Sequence, residues 1–143
     1  MAENRKEGAG GRLRVESMHA VLRCRRWAEC VSFYGGIMGF PAVDRKEGFV
    51  EFQVTPESRI GVLRVSRAEW REPADSCLLS FRVPDIAEAH RTLHARCPEL
   101  EPVRRHAWGA KVFELRDPEG RRLEFWTPEE QAENGPGTGG ASE

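Results

Sequence analysis

The chain has 143 residues, of which 39% are hydrophobic and 8% aromatic, enough for one domain with a single core. Its 22 Lys and Arg residues against 23 Asp and Glu leave a formal net charge of -1, which argues against recruitment of nucleic acid or anionic membrane. No apolar run approaches the roughly 18 residues that span a membrane, and the amino-terminal residues lack the apolar stretch of a signal peptide. We therefore expect a cytoplasmic domain that binds neither nucleic acid nor membrane.

Both ends of the chain are polar and poor in apolar residues. Residues 1–15 and 129–143 offer too little apolar surface to offset the entropy of ordering, so we predict two disordered tails around one domain at 16–128. The cysteines show neither a CxxC pair nor zinc-type spacing, and no secretory signal accompanies them, so buried thiols are expected rather than disulfides. They are Cys24, Cys30, Cys77 and Cys97.

Residues 16–66 have the pattern of one strand, one helix and three further strands. The helical stretch, at 27–38, carries apolar residues at helical spacing and is followed by the stop signals Gly39 and Pro41. The predicted strands are short alternating segments at 18–24, 42–45, 49–54 and 59–65. The first module is therefore predicted to be βαβββ.

Residues 76–128 repeat this order. Asp85 and Glu88 have capping-box spacing, with Asp in place of the usual Ser or Thr, and predict a helix at 86–97. In the segment 117–120, Asp-Pro-Glu-Gly, the Pro and the Gly are typical of a tight type I turn between the last two strands. The strands of this second module are predicted at 77–83, 103–108, 111–116 and 121–126.

The two modules are weak copies of one another. A shift of 59 residues aligns their first strands, and slightly longer shifts place Glu51 over Glu114 and Arg64 over Glu124. Since each module covers only one face of a curved sheet, the two are expected to pair across a pseudo-twofold axis. The predicted fold class is α+β, with two βαβββ modules.

Alternation along the strands separates two faces of the predicted sheets. The apolar face, expected to pack on the helices, comprises Ala20, Leu22, Cys24, Leu63, Val65, Leu79, Phe81, Val83, Leu123 and Phe125. The more polar face comprises His19, Val21, Arg23, Ile60, Val62, Arg64, Leu78, Ser80, Arg82, Arg122, Glu124 and Trp126. A face of this kind either meets plain solvent or lines a polar ligand cup.

Three segments of the sequence together form a family pattern. They are His19…Ser32-Phe33-Tyr34…Met38-Gly39-Phe40, then Phe81-Arg82-Val83-Pro84-Asp85-Ile86, then Trp108-Gly109…Phe113…Asp117-Pro118-Glu119-Gly120…Leu123-Glu124. In these segments the chain resembles the vicinal oxygen chelate superfamily, which includes glyoxalase I, bleomycin-resistance proteins, fosfomycin-resistance enzymes and extradiol dioxygenases. The resemblance covers nearly all of the predicted domain. It implies an eight-stranded cup, often completed by a homodimer, with a metal ion at its centre in the enzymes.

The resemblance also implies metal-ligand positions on the first and last strands of each module. His19 resembles the first ligand and Glu124 the last, whereas the module alignment places Arg64 and Leu78 at the other two positions, and neither can bind a metal. Two ligands hold a divalent Fe, Mn, Ni, Co or Zn ion poorly unless substrate, water or a neighbour completes its sphere. Nearby substitutes are Glu51, Gln53, Cys77, His106 and Glu114. The alternative is an ion pair between Arg64 and Glu124.

Arginine and tryptophan residues on the polar face suit an organic ligand. Arg23 and Arg82 occupy equivalent positions of the two modules, and guanidinium groups bind carboxylates or phosphates with paired hydrogen bonds. The alternative is an Arg–Glu network with the nearby carboxylates. Aromatic rings offer flat walls for a ligand. The predicted ligand-binding residues are Arg23, Arg64, Ser80, Arg82, Trp108 and Trp126.

Three functions are compatible with this pattern. The first is a binding protein of the bleomycin-resistance type, a homodimer that holds a polar or anionic small molecule without chemistry. The second is a metal-dependent lyase, isomerase or dioxygenase that uses His19 and Glu124. The third is an interaction module whose cup is filled by its own ion pairs. The sequence leaves open whether the protein is an enzyme.

Overall fold

The structure is a computed structural model that describes residues 12–72, 78–107 and 109–129. The elements of module one are β1 (Met18–Cys24), α1 (Trp27–Ser32), β2 (Ala42–Lys46), β3 (Phe49–Thr55) and β4 (Ser58–Arg64). Helix α1 continues as a π-helical turn over Phe33–Ile37. The elements of module two are β5 (Leu79–Arg82), α2 (Ile86–His94), β6 (Arg104–His106), β7 (Ala110–Arg116) and β8 (Arg122–Pro128).

Each module forms one four-stranded mixed sheet. The strand orders are β1-β4-β3-β2 and β5-β8-β7-β6. The pairs β1/β4 and β5/β8 are parallel, and the remaining neighbours are antiparallel. The predicted order of two βαβββ modules is thus confirmed.

The local signals at α2 and at the β7–β8 turn act as expected. The Asp85 side chain accepts a hydrogen bond from the Glu88 backbone N–H at 3.1 Å, which caps the first turn of α2. Helix α2 ends at His94 rather than at residue 97. Pro98 disfavours helical backbone at Cys97, the residue before it. In the β7–β8 turn, Gly120 has a φ of 90°, which a residue without a Cβ adopts readily.

One apolar core runs through both modules. In module two, the ring of Phe125 stacks between those of Phe81 and Phe113, with ring centroids 5.2 and 4.9 Å apart. Phe40, which follows α1 in module one, lies 6.1 Å from Phe81 and so continues this stack across the module boundary. The largest fully buried side chains are Tyr34, Phe52, Phe113, Leu123, Val50, Val62 and Val112.

The β7–β8 turn of module two is bound by module one. The Tyr34 hydroxyl donates to Asp117 Oδ2 at 2.8 Å, and Arg121 Nη1 donates to the same oxygen at 3.0 Å. Arg121 Nη2 also donates to the carbonyl of Arg23 at the end of β1. These polar contacts, of which the Tyr34–Asp117 hydrogen bond is buried, fix the position of one module against the other.

The predicted face of β4 is wrong by one residue. The pairing of β1 with β4 places Val62 beside Leu22 and Arg64 beside Cys24, on the helix side of the sheet. Arg64 therefore lies over α1, with Cζ 5.3 Å from the Trp27 ring, rather than on the polar face. Because the segment 60–63, Ile-Gly-Val-Leu, is apolar or glycine throughout, alternation does not define its faces. The residues moved to the helix side are Ile60, Val62 and Arg64, and Leu63 moves to the opposite side.

The described chain ends one residue beyond the predicted domain. Glu129, which we assigned to the carboxyl-terminal tail, is buried, and its side chain pairs with Arg105 at 2.7 Å. Residues 1–11 and 130–143, which make up most of the two predicted tails, lie outside the described residues. Within the described part, no helix has the length and apolar character needed to cross a membrane.

The cysteines of the described chain are free thiols. Cys24 and Cys30 are fully buried, as predicted, while Cys97 is partly exposed. Cys77 falls outside the described residues.

Candidate functional site

The open face is defined here as the side of each sheet opposite the helices. Strand register assigns residues to this face, because partners on neighbouring strands share a side. In module one the open face carries His19, Val21, Arg23, Phe49, Glu51, Gln53, Arg59, Gly61 and Leu63. In module two it carries Ser80, Arg82, Val112, Glu114, Arg122, Glu124 and Trp126.

Glu51 is the centre of the polar contacts on the open face of module one. It is only 8% exposed, and its two oxygens lie 2.5 Å from His19 Nδ1 and 3.2 Å from Arg59 Nη1. The His19 hydrogen bond, together with that of Arg59, holds the pKa of Glu51 below its usual value. Nε2 of the same imidazole lies 3.1 Å from Ser17 Oγ. Glu51 is therefore an ionised carboxylate held by two partners.

Module two repeats this arrangement with a different set of partners. Arg122 donates to Glu114 Oε2 at 2.7 Å, and the hydrogen bond lowers the pKa of Glu114. Glu124 accepts a hydrogen bond from Ser80 Oγ at 3.0 Å. An Arg–Glu network is present, as one interpretation of the sequence predicted, but its arginines are Arg59, Arg104 and Arg122 rather than the expected Arg23 and Arg82.

The position in module one that matches Glu124 is Gly61. Glu51 lies opposite Gly61 on the β3–β4 pair, as Glu114 lies opposite Glu124 on the β7–β8 pair. The ring of Phe49 covers this glycine so closely that an added Cβ would lie 2.7 Å from its Cε1. The predicted alignment of Arg64 with Glu124, and the ion pair derived from it, are therefore wrong.

The possible metal ligands on the open face do not form a complete metal site. His19 is held by Glu51 and Glu124 by Ser80, each within its own module. Of the four family positions, two are occupied by Leu78 and Gly61, which offer no side-chain donor. Among the described residues, His19, Glu51 and Glu124 do not meet as a group with donor atoms within 4.8 Å of one another. The family's metal therefore does not fit this donor set.

A different group of possible metal ligands lies at the module junction. Cys24 Sγ, Cys30 Sγ and a carboxylate oxygen of Glu119 lie within 4.8 Å of one another. This cluster is on the helix side, away from the open face. Sequence reasoning missed it, because the three residues are separated in sequence and come from both modules.

The predicted ligand-binding residues are spread over the molecule. Arg82 lies with Cζ 5.3 Å from the ring of Trp126 on the open face of module two, and no ion pair joins it to another described residue. Arg23 is exposed on β1. Trp108 lies outside the described residues.

A large cavity lies at the boundary between the modules, and we call it the boundary cavity. Its volume is about 870 Å³, and it includes two predicted ligand-binding residues, Ser80 and Arg82. Its apolar lining comprises Met18, Ala20, Met38, Phe40, Ile60, Leu79, Phe81, Leu93 and Phe125. Met38, Phe40 and Phe81 belong to two of the segments that carried the family pattern, although the sequence analysis did not name them as ligand-binding residues.

Charged groups surround the boundary cavity. Arg59 and Arg82 line it, one from each module, and Arg59 is already paired with Glu51. The carboxylates that line it are Glu57, Asp85 and Glu88. Asp85 also caps α2 by accepting the hydrogen bond from the Glu88 backbone N–H.

Comparisons with known proteins agree with this fold. The Glyoxalase/Bleomycin resistance protein/Dioxygenase superfamily profile matches residues 17–125. A glyoxalase/bleomycin resistance protein/dioxygenase from Nocardioides has a TM-score of 0.70 and 20% identity, covering 91% of this chain and 95% of that one. Lactoylglutathione lyase from Agrobacterium tumefaciens has a TM-score of 0.60 and 21% identity, covering 80% and 95%. TioX from Micromonospora sp. ML1 has a TM-score of 0.64 and 19% identity, covering 80% and 100%. No curated protein matches the chain.

Proposed function

Since the chain belongs to the glyoxalase/bleomycin resistance/dioxygenase superfamily, we propose that it binds an organic anion with a large apolar part. The ligand occupies the boundary cavity, and its anionic group lies against Arg82. The observation that carries this proposal is the cavity itself, whose volume of about 870 Å³ falls within the usual range of small-molecule sites.

The lining of the boundary cavity supports a mostly apolar ligand. Aromatic and methionine side chains from both modules, among them Met38, Phe40 and Phe81, form its walls. Burying apolar surface contributes about 25 cal/mol per Å² of area removed from water, so an apolar ligand body gains most of its binding energy there. Methionine adapts its shape readily to a partner.

The charges support one anionic group rather than several. Arg82 stacks on Trp126 but pairs with no described carboxylate, whereas Arg59 is held by Glu51. A guanidinium without a carboxylate partner suits a carboxylate or phosphate through paired hydrogen bonds. Glu57, Asp85 and Glu88 at the same cavity would repel a second negative charge.

Binding without metal chemistry is favoured over the expected alternative of a metal-dependent lyase, isomerase or dioxygenase. His19 and Glu124 are the only donors at the four family positions, and each is engaged inside its own module. A divalent ion needs more ligands than these two supply. We therefore assign no reaction step to the open face.

Isothermal titration with a panel of aromatic and aliphatic carboxylates tests the proposed binding. A carboxylate with a large apolar part is expected to bind, and its methyl ester is expected to bind at least about tenfold more weakly, a loss of about 1.4 kcal/mol. Arg82→Gln should weaken the acid to the same extent and leave the ester unchanged.

The matched control is Arg91→Gln, since Arg91 is an exposed arginine on α2 that does not line the boundary cavity. This variant should bind the acid as the unaltered protein does. Equal affinities for the acid and the ester, or tighter binding of an organic cation, would contradict the anionic part of the proposal.

We also propose that the protein is a homodimer. Apolar side chains on β1 and just before β5 are exposed, with Met18 at 79%, Val21 at 52% and Leu78 at 38%. Exposed apolar groups of this kind favour contact with another protein surface. Sedimentation equilibrium should give twice the 16.2 kDa mass of the chain, and a monomer at all concentrations would contradict this proposal.

A further inference from the structure

The cluster of Cys24, Cys30 and Glu119 joins three segments of the chain. Cys24 ends β1, Cys30 lies in α1, and Glu119 lies in the β7–β8 turn of module two. Both cysteines are fully buried, and Cys30 Sγ lies 4.0 Å from Glu119 Oε2. The backbone N–H of Arg26 also donates to Glu119 Oε2, which orients this carboxylate towards the cysteines.

We propose that Cys24, Cys30 and Glu119 form a zinc site that links the two modules. Two thiolates and one carboxylate are ligands that zinc prefers, and a water molecule supplies the fourth position of a tetrahedral site. The donor atoms lie within 4.8 Å of one another, and Zn–S bonds of about 2.3 Å require only a modest contraction of the cluster. Binding releases one proton from each thiol to solvent.

Cys24 Sγ has two further polar neighbours. It lies 3.6 Å from the backbone carbonyl oxygen of Leu22 and 3.7 Å from Arg121 Nη1. A guanidinium beside a sulfur atom favours the thiolate, which is the form that binds a metal.

Arg121 places a positive charge beside the proposed ion. Its guanidinium is paired with the buried Asp117 carboxylate at 3.0 Å, so this pair carries no net charge. The Glu119 carboxylate and two thiolates carry three negative charges against the two positive charges of zinc. The net charge of the cluster is therefore the same as it is with two neutral thiols and no ion. The cluster therefore accommodates a divalent ion without a new unpaired buried charge.

This site is distinct from the family's metal position on the open face. Its ligands tie the end of β1 and helix α1 to the β7–β8 turn, next to the Tyr34–Asp117 hydrogen bond. An ion that binds only the folded protein stabilises it in proportion to its affinity and concentration. Zinc is thus expected to stabilise the packing of the modules.

Titration of the reduced full-length protein with Co²⁺ tests this proposal. A Co²⁺ ion bound by two thiolates gives a near-ultraviolet sulfur-to-cobalt charge-transfer band, which donors such as His19 and Glu51 cannot produce. We expect this band to saturate at one Co²⁺ per chain and to disappear when Zn²⁺ is added. The same Zn²⁺ should raise the melting temperature of the protein.

Matched variants identify the thiols that bind the Co²⁺ ion. Cys24→Ser and Cys30→Ser should each abolish it, whereas Cys77→Ser/Cys97→Ser, which removes the other two thiols, should retain it. Glu119→Gln, at a half-buried position outside the core, should keep the band and lower the affinity for Co²⁺. The proposal is wrong if the unaltered protein gives no charge-transfer band, if the band survives in Cys30→Ser, or if it is lost in the Cys77→Ser/Cys97→Ser variant.

Discussion

Glu51 has an environment that few surface carboxylates share. Two donors, His19 at 2.5 Å and Arg59 at 3.2 Å, hold its oxygens, and its side chain is almost wholly covered. A carboxylate held in this way favours its charged form, so its pKa in the folded chain is lower than in the unfolded chain. Its ionised form therefore contributes to stability.

The Glu51→Gln variant should be destabilised at neutral pH by about 1 kcal/mol, since the amide keeps the size of the side chain but loses the charge. The lowered pKa gives the sign of the pH dependence: stability from ionised Glu51 is present above the usual value of 4.5 and is lost as pH falls through the folded pKa below it. Urea unfolding at neutral and acidic pH measures this difference.

The difference in unfolding free energy between the unaltered protein and Glu51→Gln should accordingly shrink below pH 4.5. Glu47→Gln is the control, because Glu47 pairs with Arg64 through a side chain that is 90% exposed. A difference for Glu51→Gln that stays constant with pH would contradict the assigned role of its charge.

At the scale of elements, the register of β4 determines what the open face contains. The β1–β4 and β3–β4 pairings bring Gly61 to the position that Glu124 occupies in module two, and the Phe49 ring covers it. A glycine here allows the aromatic ring to lie directly on the strand. Module one thus has an aromatic cover where a metal ligand would stand.

Gly61→Ala should lower the unfolding free energy by about 1 kcal/mol, because its Cβ would meet the Phe49 ring at 2.7 Å and force the ring to move. In a Phe49→Leu background the same substitution should cost less, since the shorter side chain leaves room for the methyl group. Chemical denaturation of the four proteins gives the coupling energy. Equal costs in both backgrounds would show that the ring does not constrain this position.

The elements themselves followed from local signals, but the face of β4 did not. Asp85 predicted the start of a helix and Gly120 predicted a turn, and the structure confirms both. The alternation of apolar and polar residues likewise predicted the order of the strands. Alternation failed at residues 60–63, where every position is apolar or glycine, and the irregular register between Gln53 and Thr55 adds a shift that sequence alone does not reveal.

At the scale of the whole molecule, the candidate sites depend on how the two modules pack. The boundary cavity and the Cys24–Cys30–Glu119 cluster each combine residues from both modules. Strand periodicity predicts which residues share a face of one sheet, but it contains no information about the contact between sheets. For this reason Ser80 and Arg82 were predicted to bind a ligand, while Arg59 and the wall formed by Met38 and Phe40 were not.

Tyr34→Phe tests the polar junction between the modules. The variant removes the hydroxyl that donates to Asp117 at 2.8 Å, and it leaves this carboxylate with its bond to Arg121. We expect a loss of about 1–2 kcal/mol in unfolding free energy, measured by thermal or chemical denaturation. A change within about 0.5 kcal/mol, typical of surface substitutions, would mean that the hydrogen bond does not stabilise the junction.

A crystal structure of the protein with the tightest-binding carboxylate from the titration panel would show directly whether the boundary cavity binds an organic anion. We expect the apolar part of the ligand to lie between Phe40 and Phe81, with its carboxylate within hydrogen-bond distance of Arg82. A ligand bound instead on the open face of module one, over Glu51 and Gly61 and away from Arg82, would contradict this proposal.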